Sequence, residues 1–347
     1  MAVAARARRA QVTRPRVIVL AGETLFRSFF DAPRQRRLGR GFDWTRVAGK
    51  SLTPALRAGL READALVTTW DSPVFGEELL ALAPRLRLVA HCGGEVKRRF
   101  ARPLFERLVI ANAPGPMAHL VAELAVTFLL MAARRVDDYR GALRRHSNRI
   151  YTKLHLEGAG PDTLQGATVG ILGFGRIGRE TARLLQPFAA TLLVHDPFVA
   201  VSVVRRSGAL RVPLNVLLRR SQYLVVAAGL TEATNGLLDA AALHRLPDGA
   251  TLVNVARGGL VDLHALVAEV RSGRLRCALD VTDPLEPLPT NHPLRRLRGA
   301  VVTPHVGAAS VSVRHAMADL VLDALERFAR GARVRTRVRP AMLERMT

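Results

Sequence analysis

A chain of 347 residues, 49% of them apolar, is too long for one ordinary core and suits two domains. Cys92 and Cys277 are too few for a disulfide framework. The longest apolar run, Val121 to Ala133, carries Glu123 and falls short of the roughly 20 residues of a membrane span, so a cytoplasmic protein with no membrane partner is expected. The net charge of +23 comes almost wholly from arginine spread along the chain, with aromatics at only 5% and no recognisable reader motif, so nucleic acid is not expected as a partner.

The first dozen residues alternate Ala and Arg without an apolar segment, and residues 1–15 read as a disordered basic arm. From Arg16 the pattern becomes strand, helix, strand, helix, the order of parallel sheets with crossover helices. Val17–Leu20, Ala65–Thr68, Leu86–Ala90 and Val109–Asn112 read as buried strands, with a short helix over Gly76–Ala83. Pro114-Gly115-Pro116 stops the last of these, and the 3–4 spacing of Leu120, Leu124, Phe128 and Met131 predicts one long helix over Ala118–Arg145. Residues 146–165 are polar and irregular. A second α/β series runs from Ala167 to about Ala309, and the last helix, Val311–Arg330, is expected to return to the first domain.

The second series opens on Thr168–Leu172, a strand, then Gly173-Phe174-Gly175-Arg176-Ile177-Gly178 and a helix. In that context each glycine has a task. Gly173 permits the tight turn, Gly175 lets the backbone approach a pyrophosphate, and Gly178 allows close helix packing. The helix N-terminus, at Arg176 and Ile177, offers free N–H groups to the phosphates. A second strand, Thr191–His195, ends in Asp196, 18 residues after Gly178 and near the place of an acid that accepts hydrogen bonds from the adenosine ribose. That carboxylate welcomes a ribose diol and repels a 2′-phosphate, so NAD is expected over NADP. Arg205 and Arg206, close in sequence, are the residues that could soften the preference. The plain alternative is a glycine turn beside a solvated acid.

Three later segments, Val253–Asp262, Ala278–Val281 with Glu286-Pro287-Leu288-Pro289, and Thr303–Gly307, each follow a buried strand, where open α/β sheets place ligand loops. With these in order the chain resembles the D-isomer-specific 2-hydroxyacid dehydrogenase family from Arg16 to Arg330. The resemblance implies an α/β fold of two doubly wound parallel-sheet domains, a Rossmann NAD-binding domain (121–310, with its leading hinge helix) inserted into a flavodoxin-like substrate domain (16–120 and 311–347). A cleft between the domains and a homodimer are implied with it. It makes Arg257 the anchor of the substrate carboxylate, His305 the general acid–base and Glu286 its partner, with Asp280 on the nicotinamide carboxamide. Val255, Ala256, Ala228, Gly229 and Gly307 would line the same cofactor, and no metal is called for. The substrate that the resemblance implies is a small 2-keto or 2-hydroxy acid.

Physical chemistry supports those roles independently. Reducing a ketone requires a proton on oxygen, which an imidazolium supplies, and a carboxylate at its other nitrogen stabilises that cation. Arginine presents a planar fork suited to a carboxylate. Each residue also has a structural reading: Arg257 as one more surface arginine, His305 as a packed histidine, Asp280 as a strand-end cap. Counting from Asp280 puts Leu285 in the glutamate's place, whereas counting back from His305 puts Glu286 there. One inserted residue is the simpler account.

The chain departs from the family pattern at Ala227-Ala228-Gly229, where His-x-Pro is usual, and at His91-Cys92-Gly93-Gly94-Glu95-Val96-Lys97. In the latter loop Gly93 and Gly94 can still aim backbone N–H groups at a carboxylate. The rival reading from another class is an NAD(H)-sensing regulatory protein on the same fold with little turnover.

Overall fold

The computed structural model describes residues 14–144, 152, 156 and 163–346, so the expected arm lies almost wholly outside the described residues. The chain divides into two compact units, residues 1–114 with 311–343 and residues 115–310 with 344–347. The second unit therefore interrupts the first in sequence. The division falls at Pro114/Gly115 and not at 120/121, because a single helix starts at Gly115.

The first unit holds a five-stranded parallel sheet of β1 (Arg16–Leu20), β2 (Asp43–Val47), β3 (Ala65–Thr68), β4 (Leu88–His91) and β5 (Val109–Asn112) in the order β2-β1-β3-β4-β5. This is the flavodoxin-like order. β3 and β4 are buried at every position, as strands covered on both faces must be. The helix Val311–Ala329 packs here as expected. Arg34 Nη2 sits 2.6 Å from Asp319, and Arg37 grips Glu326 through Nε at 2.6 Å and Nη2 at 3.0 Å. The segment after it runs antiparallel beside β5, with the Val338 N–H donating to the Ile110 carbonyl at 2.7 Å.

The second unit holds seven parallel strands, β6 (Thr168–Leu172), β7 (Thr191–His195), β8 (Ala209–Arg211), β9 (Tyr223–Val226), β10 (Thr251–Asn254), β11 (Arg276–Leu279) and β12 (Ala300–Val302). Their order is β12-β11-β10-β9-β6-β7-β8, which reverses direction between β6 and β9. That reversal is the switch point where such sheets bind dinucleotides. Period-two alternation builds a core on each face: Val169, Ile171, Val194 and Val225 pack with Phe128 and Leu129, and Leu172, Leu193, Leu224 and Val226 pack with Leu217 and Leu266.

The single helix expected over Ala118–Arg145 is two helices, Gly115–Ala133 and Val136–Arg144. The break lies at Arg135, in the left-handed region at φ 53°. Beyond the turn Asp138 is buried and accepts from Arg298 Nε at 3.0 Å, with Arg276 Nη2 also at 3.0 Å. That clasp redirects the second helix, and no glycine or proline marks it in the sequence. The first helix is long and apolar enough to cross a membrane by length and composition, yet Val121, Ala125, Phe128 and Leu129 belong to the core of this unit.

Candidate active site

The glycine loop occupies the turn from β6 into the helix Arg176–Leu185. Gly173 takes φ 91°, and a Cβ there would lie 2.5 Å from Ala228 Cα, so only glycine lets the turn after β6 pass this close to the segment after β9. A Cβ on Gly175 would meet nothing within 4 Å. The open space is on the side of the helix N-terminus, which no side chain caps. An uncapped first turn beside a cradle that a side chain would fill fits a pyrophosphate. Arg176 is exposed at that first turn and Ile177 is half-buried.

Asp196 follows β7 and holds two backbone N–H groups. Its Oδ2 accepts from the Phe174 N–H at 2.8 Å and its Oδ1 from the Phe198 N–H at 2.9 Å, so it shapes the glycine loop. Each oxygen keeps a lone pair for a diol. Arg211 lies beyond the reach of motif reading. From β8 its guanidinium donates to the Val199 carbonyl at 3.0 Å and the Pro197 carbonyl at 3.3 Å, steadying the segment after Asp196. Arg205 and Arg206 are exposed on the helix Val201–Arg206.

Along β9 and β10 the chain continues into the loops that hold Ala228, Gly229, Val255, Ala256 and Arg257. Thr234 Oγ1 donates to the Gly229 carbonyl at 2.7 Å and fixes that turn. Asn254 closes the next one, accepting from the Ala256 N–H at 3.0 Å and donating to the Arg257 carbonyl at 2.9 Å. The Arg257 side chain is half-buried, and its Nη1 donates to the Ala256 carbonyl at 2.7 Å. A Cβ on Gly258 would fall 2.1 Å from the Thr282 carbonyl carbon. Glycine there lets the Arg257 loop press against the 280–286 segment.

Asp280 is buried at the end of β11 and organises the loop that carries His305. Its Oδ1 accepts from Thr303 Oγ1 at 2.6 Å and the Val306 N–H at 2.8 Å; its Oδ2 accepts from the Gly307 N–H at 2.8 Å. Three of about four acceptor positions are thereby taken within the protein. Its backbone carbonyl accepts from the His305 N–H at 2.8 Å. His305 itself is held at φ 54°, a conformation that costs a non-glycine residue energy and that the surrounding bonds impose.

His305 Nδ1 lies 3.1 Å from Glu286 Oε1, and both side chains are partly exposed. The carboxylate that reaches the histidine belongs to Glu286, while Leu285 is turned to solvent. Thr282 Oγ1 donates to the Leu285 carbonyl at 2.5 Å and shapes the segment that presents Glu286. A carboxylate on Nδ1 selects the tautomer and orientation of the ring and leaves Nε2 to a reacting group.

In the first unit Gly93 and Gly94 follow β4. Their carbonyls accept from the Ala113 N–H at 2.8 Å and Asn112 Nδ2 at 2.6 Å, and their own N–H groups donate to no acceptor among the described residues. A Cβ on Gly93 would lie 2.3 Å from His91 Nε2 and 3.0 Å from Trp70 Nε1. His91 is fully buried, bonded through Nδ1 to Thr68 Oγ1 at 3.0 Å, and burial with Arg99 nearby lowers its pKa to about 3. It is a neutral packing partner of this loop. Trp70, partly exposed, lies beside Gly93.

Two covered parallel sheets, a switch-point glycine loop with an acid at the next strand, and a carboxylate–histidine pair on the later loops define a dinucleotide-dependent oxidoreductase architecture. Residues 126–307 match the model of the D-isomer specific 2-hydroxyacid dehydrogenase NAD binding domain. The chain belongs to that family, and NAD is the cofactor of this domain. A D-3-phosphoglycerate dehydrogenase of Mycobacterium leprae is 36% identical over 75% of this chain and 48% of its own length. A glyoxylate reductase of Korarchaeum cryptofilum is 32% identical over 78% of this chain and 81% of its own. The crystal structure of the TT0316 protein from Thermus thermophilus superposes with a TM-score of 0.76 at 30% identity, covering 93% of this chain and 99% of that one. The chain spans about half the length of the mycobacterial phosphoglycerate dehydrogenases it matches.

Proposed function

We propose that the protein is an NAD-dependent dehydrogenase or reductase acting at C2 of a small 2-hydroxy or 2-keto acid, with His305 as its acid–base. The observation that carries this reading is the 3.1 Å contact of His305 Nδ1 with Glu286, on a loop pinned by Asp280. NAD, when bound, supplies or accepts the hydride. His305 Nε2 gives a proton to the carbonyl oxygen on reduction and takes it back on oxidation, a positioned transfer worth ~10²–10⁴-fold in rate. Glu286 stabilises the protonated ring, and Arg257 holds the substrate carboxylate and offsets charge growing on the oxygen. Gly175 and the turn at Arg176 and Ile177 hold the cofactor's phosphates, Asp196 its ribose diol, and Val255, Ala256 and Gly229 the remainder. The Asp280 carboxylate contributes by holding the histidine loop, with one acceptor position left for the cofactor. In the first unit Gly93 and Gly94 present N–H groups of the kind that bind an anion.

Glyoxylate, hydroxypyruvate and phosphorylated hydroxypyruvate are the first substrates to test, by NADH oxidation. Reduction of one or more supports the reading. Tight NADH binding with none of a broad 2-keto acid panel reduced would favour the sensor instead. We carry a cytoplasmic homodimer as part of the proposal: both cysteines are free and buried, as suits a reducing compartment, and sedimentation reads the assembly.

A further inference from the structure

The arginine excess is not evenly spread in space. In the first unit a cavity of about 590 Å³ lies between the N-terminal ends of β4 and β5 and the segment after the helix Val311–Ala329. Arg87, Arg333, Arg335, Arg337 and Arg339 line it, and no acidic residue does. The last four are exposed and alternate with Val334 and Val338, which are buried, so the packing of the valines throws every arginine to the same wall. None of the five guanidinium groups meets a carboxylate or a carbonyl acceptor among the described residues. Arg87 instead lies over the ring of Phe328, 5.4 Å from its centroid, on the floor of the cavity.

Elsewhere in the unit several arginines are paired with acids, while others, such as Arg57 and Arg61, stand singly at the surface away from this concavity. Arg34 and Arg37 on one helix take Asp319 and Glu326, Arg85 takes Asp64, and Arg46 takes Glu23. Five unneutralised cations around one concavity repel one another, and an anion placed among them relieves that repulsion. A single phosphate would satisfy one or two forks and leave the others facing each other. The charge and the volume call for several phosphates on a molecule of small-ligand size. An arginine stacked on Phe328 adds a flat cationic surface of the kind that accepts a nucleobase.

We propose that this cavity is a second ligand site, separate from the dinucleotide loop, for a small polyphosphate anion of the nucleoside triphosphate type. Arg333, Arg335, Arg337 and Arg339 hold the phosphates, and Arg87 with Phe328 flanks the nucleoside.

Inorganic tripolyphosphate and a nucleoside triphosphate are titrated by calorimetry against the full chain with NADH at saturation, so that the dinucleotide loop is occupied. The expected result is one site that loses at least ten-fold in affinity in Arg335→Ala/Arg337→Ala/Arg339→Ala. It keeps its affinity within two-fold in Arg57→Ala/Arg61→Ala/Arg219→Ala, which removes equal charge from exposed positions elsewhere. The triphosphate should also raise the melting temperature of wild type and not of the first variant. Equal loss in the two variants would overturn the proposal by reducing the effect to net charge. Absence of binding at low salt would overturn it outright. So would an oligothymidylate that binds through the same arginines and displaces the triphosphate, since the occupant is then a nucleic acid strand.

Discussion

Removing the Asp280 carboxylate should damage the second unit's stability and loosen its histidine loop. Asp280→Ala takes acceptors from Thr303 Oγ1, the Val306 N–H and the Gly307 N–H. The threonine hydroxyl can rotate to another acceptor and is left out of the count. An orphaned buried donor costs about 1–3 kcal/mol, so the loss runs from roughly 1 kcal/mol, if only the Gly307 N–H is stranded, to roughly 6 if both are. At a middle value of about 3 kcal/mol, a domain of this size should melt roughly 6–12 °C lower. Asp280→Asn keeps one acceptor oxygen and turns an NH2 toward the remaining donors, so it should fall between wild type and alanine. Urea unfolding of the three proteins at one pH measures the order and the size. A loss below about 0.5 kcal/mol for alanine, with turnover unchanged, would refute the claim that this carboxylate holds the loop.

Three further perturbations separate structure from function. Gly175→Ala adds its Cβ only to open space, so its unfolding free energy should stay within about 1 kcal/mol of wild type while NADH binding weakens; fluorescence titration beside urea unfolding reads both. Asp138→Ala leaves half-buried Arg276 without its buried carboxylate and should cost roughly 3 kcal/mol near neutral pH. Burial opposes ionisation of Asp138, but Arg298, Arg276 and Arg135 together hold its pKa below the usual carboxylate range. Its contribution is therefore present above the unfolded value of about 3.9 and lost as pH falls through the folded value, so wild type and variant should converge in acid. His119 has the opposite sign: its pKa is raised, first by Glu180 at 2.7 Å and then by Glu123. What it adds is complete below about pH 6.5 and lost as pH rises through the folded value, so the gap between wild type and His119→Ala in thermal melts should close toward alkaline pH.

The apolar runs made most of the sheet legible. Val17–Leu20 and Ala65–Thr68 are buried at every position and Val109–Asn112 at all but its first, as covered parallel strands are. β2 escapes the pattern because it is an edge strand whose Asp43, Thr45 and Arg46 face outward or half outward, so it carries no apolar run. The helix break at Arg134–Arg135 was not readable either, since it answers to an ion-pair clasp whose partners lie more than 130 residues downstream. Within the site, residue types and order indicated Arg257, His305 and the glycine loop. Counting back from His305 also favours Glu286 over Leu285, and the 3.1 Å contact is its geometric counterpart. The tasks of Asp280 and Arg211 needed three dimensions, because their partners are set by loop paths that local sequence does not encode.

The most direct test of the catalytic reading is steady-state turnover of His305→Ala and Glu286→Gln beside wild type, with NADH affinity measured on each protein. The account predicts that both variants bind NADH as wild type does. His305→Ala should lose at least ~100-fold in kcat and Glu286→Gln should lose less, with an altered pH profile because the imidazolium has lost its carboxylate. Undiminished kcat in His305→Ala at unchanged NADH affinity would contradict it.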